Sequence, residues 1–164
     1  MARNNVVKIS DFGLAKYVEY KDYYKNEKQG PVPLKWLSIE TLDAGVYTIQ
    51  SDVWSYGVVL WEIFSLGDTP YPGVELNDVR YKVVREGLRL KRPEHALDCV
   101  YEVMQKCQND DPFLRPTFSE LTECFQRIED DYRNGKLHNN ISSNDPNTFQ
   151  DGGIFFSSFF SLKN

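Results

Sequence analysis

Asp11-Phe12-Gly13 sets a carboxylate two residues ahead of a glycine, and the adjacent phenols Tyr23 and Tyr24 follow in a polar stretch. A three-residue string of this kind recurs by chance and reads equally well as a turn between two strands. Its weight comes from the ordered series behind it: Pro33-Leu34-Lys35-Trp36-Leu37-Ser38-Ile39-Glu40, Ser51-Asp52-Val53-Trp54-Ser55-Tyr56-Gly57-Val58, Trp61-Glu62-Ile63-Phe64-Ser65-Leu66-Gly67, Pro70-Tyr71-Pro72-Gly73, and Asp111-Pro112 with Arg115-Pro116-Thr117-Phe118. The groups that could do chemistry here are the carboxylates of Asp11, Glu40 and Asp52, the guanidinium of Arg115 and the two phenols. Thiol chemistry is set aside. Cys99, Cys107 and Cys124 are odd in number and lack Cys-x-x-Cys spacing, and two of them fall on apolar helical positions, so they read as reduced core thiols of a cytosolic compartment.

In order and residue type these motifs resemble the back half of a protein tyrosine kinase catalytic domain, over roughly residues 6–132. Proline, hydrophobe, lysine and tryptophan ahead of Glu40 resemble tyrosine rather than serine/threonine kinases. Asp22-Tyr23-Tyr24-Lys25 is similar to the activation loop of receptors of the fibroblast growth factor type, and the vascular endothelial and platelet-derived growth factor receptors share much of the rest. The resemblance implies that Asp11 is the Mg²⁺ ligand at an ATP site, with Phe12 packed beneath it and Gly13 supplying backbone freedom. It implies that Tyr23 and Tyr24 accept phosphate, the added charge ordering their loop, and that Pro33, Leu34, Lys35 and Trp36 form the platform for tyrosine-bearing peptides. Glu40 and Arg115 would be the buried ion pair that ties the activation segment to the helical base, a planar guanidinium holding a carboxylate bidentately. Asp52 resembles the residue that accepts hydrogen bonds from the catalytic loop.

The departures from this pattern decide what is expected of the chain alone. It contains no Gly-x-Gly-x-x-Gly loop, no Val-Ala-Ile-Lys strand and no His-Arg-Asp catalytic loop. Asn4 does not supply the catalytic asparagine. The family folds a hairpin between that residue and the Asp-Phe-Gly, which needs about eight residues, and only six separate Asn4 from Asp11. Ser38-Ile39 stands where Ala-Pro is usual and Gln108 where tryptophan is usual, both bearing on the packing around Glu40 and Arg115. The expected function is therefore that of a partial receptor-type tyrosine kinase, whose family activity is ATP-dependent phosphorylation of protein tyrosine. The general base is absent from the chain, so it is expected to be inactive alone and to bind no Mg-ATP usefully. The alternative is a non-catalytic interaction or decoy module phosphorylated in trans on Tyr23 and Tyr24. Protein tyrosine substrates and phosphotyrosine-binding signalling proteins are the implied partners. The implied location is cytoplasmic, on the intracellular side of a plasma membrane receptor.

The elements that must position these residues are mainly helical. At 164 residues the chain can bury one real core but not two lobes. A net charge of −5 with scattered basic residues excludes nucleic acid as a partner, and no stretch reaches the roughly 20 apolar residues of a membrane span. The expected fold is the C-terminal (large) lobe of a kinase, with a short β-hairpin remnant at the N-terminus whose strand is Val6-Val7-Lys8-Ile9. A long polar loop runs to about Val32. Ser51 reads as the N-cap of a helix that is apolar on nearly every face from Val53 to Leu66, and covering elements missing upstream would leave that helix exposed as an apolar patch. Leu76, Val79 and Val83 share one helical face, and Val100, Val103, Met104 and Cys107 another. Thr117-Phe118-Ser119-Glu120 is a capping-box pattern that opens a stripe of Phe118, Leu121, Phe125, Ile128 and Tyr132. Residues 1–133 form the partial catalytic domain. From 134 to 164 composition shifts to what is expected to be a disordered, low-complexity tail that carries a phenylalanine-rich run.

Overall fold

The computed structural model describes residues 10–13, 15, 23–25 and 32–137, and the expected strand Val6–Ile9 and the tail beyond 137 lie outside them. Strand β1 is Tyr24–Lys25 and β2 is Val46–Tyr47; the helices are α1 Ile39–Ala44, α2 Ile49–Phe64, α3 Val79–Val84, α4 Asp98–Cys107 and α5 Phe118–Arg133. Short 3₁₀ turns occupy Leu34–Trp36, Leu76–Asp78 and Pro112–Leu114. The described residues are thus mostly helical, with one two-stranded antiparallel sheet in which Tyr24 faces Tyr47 and Lys25 faces Val46. The chain divides into two compact units, one of residues 17–124 and one made of residues 1–16 with 125–164.

In the unit of residues 17–124, α2 is the central element. Its cap is Thr48 rather than Ser51. The Thr48 hydroxyl accepts from the Ser51 N–H, and the Ser51 hydroxyl accepts from the Thr48 N–H, a reciprocal box with serine in the place usually held by glutamate. The expected start failed because Ile49 in the first turn is 70% exposed, so the apolar pattern begins a turn later than the hydrogen bonds do. Val53, Trp54, Val58, Leu60 and Phe64 are wholly buried. The expected bare apolar helix is therefore not found: beyond its first residue, Val59 is the large apolar side chain of α2 that stays exposed.

Helix α4 packs along α2. Gly57 makes this close approach possible, because a Cβ there would stand 2.7 Å from the Cβ of Cys107. Val100, Val103, Met104 and Cys107 form the buried face of α4 that their spacing predicts. Val79 and Val83 are buried on α3, but Leu76 lies in the preceding 3₁₀ turn and is exposed, since i→i+3 geometry turns it off the helical face. At the start of α5 the Thr117–Glu120 box is formed in both directions, Leu121 is buried, and half-exposed Phe118 meets Tyr56 edge-on at 5.8 Å.

In the other unit, α5 continues through buried Phe125 and Ile128. It ends with Gly135 in the left-handed region at φ 66°, where the Lys136 N–H reaches back to the Asp131 carbonyl at 2.9 Å and closes the C-terminal turn. No helix among the described residues is long and apolar enough to cross a membrane.

Candidate functional site

Arg115 follows a 3₁₀ turn that begins at Asp111-Pro112, where Asp111 caps the turn through the Phe113 N–H and the proline presets the backbone. Its side chain is completely buried. Such a cation is tolerable only if most of its donors are spent, and four of the five are: Nη1 and Nη2 hold the two Glu40 oxygens at 2.6 and 2.8 Å, Nη1 also reaches the Gln50 carbonyl at 2.9 Å, and Nε reaches the Asn109 carbonyl at 2.9 Å. The guanidinium also lies 5.1 Å from the Trp54 ring centroid. Burial pushes the Glu40 carboxyl up, but the Arg115 hydrogen bonds and charge, together with local backbone and Ser38 hydrogen bonds, outweigh it and hold the pKa below the ordinary value.

Glu40 is placed by α1, whose N-cap is Ser38. The Ser38 hydroxyl is buried, accepts from the Thr41 N–H and shares a 2.8 Å hydrogen bond with the Thr41 hydroxyl, which in turn donates to the Val46 carbonyl at 2.7 Å. Serine in this place thus provides the cap that starts the helix carrying Glu40. Gln108 behaves differently. It is 6% exposed, and its Nε2 has no hydrogen-bond partner.

Pro33, Leu34, Lys35 and Trp36 make the turn that leads into this segment, and α2 clamps it at two points. The Trp36 indole N–H donates to the Glu62 carboxylate at 2.6 Å, and the Ser55 hydroxyl donates to the Trp36 carbonyl at 2.8 Å. Neither Ser55 nor Glu62 was singled out by sequence reasoning. The signal available was their separation of seven residues, two helical turns, which puts both on one side of α2.

Tyr23 is 45% exposed. Tyr24, expected within an open loop, instead enters β1 and rests against the Tyr47 ring at 6.1 Å. Asp52 lies in the first turn of α2, and partial desolvation raises its carboxyl pKa. Burial also pushes the Tyr56 phenol and the Cys107 thiol up to about 12, which leaves both protonated in the core.

In the other unit, Asp11 has φ 61° and its carboxylate accepts a 3.3 Å hydrogen bond from the Gly13 N–H. A Cβ at position 13 would stand 3.2 Å from that oxygen, so glycine suits the turn. Phe12 is 68% exposed rather than packed beneath Asp11, because the tight turn directs the aspartate toward its own backbone and leaves the ring outward.

Comparison with known proteins places this geometry. Residues 1–125 match the family model described as protein tyrosine and serine/threonine kinase. The chain is 51% identical over 124 residues to vascular endothelial growth factor receptor 2 of Coturnix japonica, covering 75% of this chain and 9% of that protein. It is 44% identical over 128 residues to fibroblast growth factor receptor 1 of Xenopus laevis, covering 78% of this chain and 16% of the receptor. It is 43% identical over 128 residues to platelet-derived growth factor receptor alpha of Homo sapiens, with 78% and 12% covered. The chain therefore spans well under a fifth of the length of these relatives.

Proposed function

Because this chain belongs to the protein tyrosine and serine/threonine kinase family, we propose that it is the helical, C-terminal-lobe portion of a receptor-type protein tyrosine kinase, bounded by residues 1–133. The observation that carries this reading is the Arg115 hub. A buried guanidinium joins the segment ending at Glu40 to the start of α2 and to the end of α4, across 75 residues of chain, and so fixes the platform at 33–36 relative to the helical core. In the longer protein the reaction is transfer of the ATP γ-phosphoryl group to protein tyrosines at the inner face of the plasma membrane. The platform presents the accepting tyrosine, and Glu62 and Ser55 hold the platform.

Asp11 fits a Mg²⁺ ligand. It is an exposed carboxylate whose one hydrogen bond among the described residues is long, and Mg²⁺ keeps most of its water and takes one or two carboxylates beside phosphate oxygens. The ion, when bound with ATP, would neutralise charge on the phosphates. Tyr23 and Tyr24 accept phosphate from another kinase molecule and, once modified, recruit phosphotyrosine-binding signalling proteins. The exposure of Tyr23 also supports a second reading, in which the 164-residue chain serves as a phosphorylatable interaction module.

These proposals are tested in two arms. In the longer protein Asp11→Asn should abolish phosphotyrosine formation while leaving the melting temperature unchanged; retained activity would remove Asp11 from the metal site. The 164-residue chain alone, whose sequence has no nucleotide lysine or catalytic-loop aspartate, should form no phosphotyrosine with Mg-ATP and show no nucleotide-dependent rise in melting temperature. A clear rise would require a nucleotide site within these residues.

A further inference from the structure

Two exposed apolar clusters, framed by opposite charge, stand on the unit of residues 17–124. The first is the 3₁₀ turn at Pro112–Leu114, where Phe113 is 89% exposed and Leu114 67%, with partly exposed Phe118 following at the start of α5. Looseness does not account for this exposure, because the groups of the turn are spent. The Asp111 carboxylate accepts from the Phe113 N–H at 2.9 Å, the Asn109 side chain accepts from the Asp111 N–H at 2.9 Å, the Leu114 N–H reaches the Asp111 carbonyl at 3.1 Å, and the Arg115 side chain beyond them is wholly buried on Glu40. Two large apolar side chains are thus held outward on an ordered support, which leaves little conformational freedom to lose when a partner arrives. Negative charge frames them. Residues 109–123 hold exposed carboxylates at 110, 111, 120 and 123, the first of them paired with Arg89, while the cation within that stretch, Arg115, is consumed by Glu40 in the interior.

The second cluster is α3 with the turn before it, where Tyr81 is 61% exposed and Leu76 52%. Here the sign reverses. Residues 79–85 include Arg80, Lys82 and Arg85 and no acidic residue, while Glu75 and Asp78 border Leu76, so the positive edge of this ridge is its Tyr81 end. Arg85 stands one helical turn beyond Tyr81, its N–H on the Tyr81 carbonyl at 2.8 Å, which puts the ring and that guanidinium on one face. Arg80 and Arg85 both reach Asp43, at 3.6 and 3.1 Å, yet most of each side chain stays in solvent, and exposed pairs of this kind are weak enough to rearrange. Grouped exposed apolar side chains mark interaction surfaces, aromatic residues and arginine are the types such surfaces favour, and framing charge decides what meets what. The first cluster against itself would set carboxylates beside carboxylates, and the second against itself would set cations beside cations. Each is complementary to the other.

We propose that the partner is a second copy of this chain: the Phe113–Leu114 turn of one copy seats on the Tyr81 face of α3 in the next, a head-to-tail contact. A heterologous contact of this kind does not pair off two copies and stop; it continues into chains or closes as a ring. Few large side chains take part, so the contact is weak and depends on concentration. The experiment is sedimentation velocity of the 164-residue chain. The mean sedimentation coefficient should rise with concentration, and raising the salt from about 0.05 to about 0.5 M should weaken association by screening the framing charges. Phe113→Ser and Tyr81→Ser, both at exposed positions, should each weaken it about tenfold or more, as expected when an interface anchor is lost. Mixed in equal amounts, the two variants should associate again and stop at the dimer, since the first keeps the α3 face and the second keeps the turn. Leu114→Ser and Leu76→Ser repeat the two arms, and circular-dichroism melts establish that each variant is folded. A chain that stays monomeric at every concentration would overturn the proposal. Association indifferent to these substitutions would overturn it too, by putting the contact elsewhere, such as the phenylalanine run at 155–160. Loss with Phe113→Ser but not with Tyr81→Ser, the mark of an isologous contact, or a mixture that fails to associate, would do the same.

Discussion

Replacing Arg115 with alanine removes four hydrogen bonds from a side chain that has no exposed surface. What remains is worse than a hole. The Glu40 carboxylate, only 19% exposed, loses its counter-ion, and the Gln50 and Asn109 carbonyls lose their donor. Stranding one member of a buried pair costs about 3–5 kcal/mol, and loss of the stacked cation over Trp54 adds roughly 0.5–1 kcal/mol. For a domain near 100 residues each kcal/mol moves the midpoint by about 4–8 °C, so a drop on the order of 12 °C or more is expected in a calorimetric or circular-dichroism melt. A double-mutant cycle isolates the pair: Glu40→Ala in the Arg115→Ala background should cost far less than in the unaltered chain. The pH dependence carries the same signature. Since the folded pKa of Glu40 lies below its ordinary 4.5, its contribution is fully present above 4.5 and disappears as pH falls through the lower folded value. Glu40→Gln should therefore melt below the unaltered chain at pH 7 and converge with it in acid. A loss of one or two degrees for Arg115→Ala, or additivity in the cycle, would refute the reasoning, because it would mean that water reaches both groups in the folded state.

Gly57→Ala should destabilise by about 1–3 kcal/mol through overpacking, and Cys107→Ala should not rescue it, since the clash is between two Cβ atoms 2.7 Å apart; recovery in the double variant would show that the helices separate instead. Trp36→Phe and Glu62→Ala should each lower stability, with a coupling energy of about 1–3 kcal/mol for the shared charge-assisted bond, and an uncoupled cycle would dissolve the clamp on the 33–36 turn. Incubated with an active receptor tyrosine kinase and ATP, Tyr23 should be labelled before Tyr24, which must first leave β1 and the Tyr47 ring, and both before core-facing Tyr56. Equal rates by phosphopeptide mapping would mean that the strand pairing does not persist.

Much of the local structure was legible in the residues themselves, because it rests on spacing. Apolar side chains at i, i+3, i+4 and i+7 are enough to bury one face of α4, and Thr117 with Glu120 is enough to start α5, since each involves groups a turn or less apart. Glu40 and Arg115 were recognisable by their place in an ordered series, although nothing in their spacing, 75 residues, could set a distance. The acceptors that complete Arg115 could not be read at all: the Gln50 and Asn109 carbonyls are backbone groups every residue possesses, and only the fold decides which of them converge on one guanidinium. The same holds for the cap of α2, where an exposed Ile49 masks the true first turn from any hydrophobic pattern, and for Tyr24, drawn from a polar loop into a strand by Val46 and Tyr47 far along the chain. The sequence by itself determined family, helix faces and the identity of the charged pair, because these depend on residue type and short-range periodicity. Tertiary structure alone decided that Glu62 and Ser55 hold Trp36, that Gly57 admits Cys107, and that Gln108 lies buried with an unspent donor, because each depends on which surfaces close packing brings together.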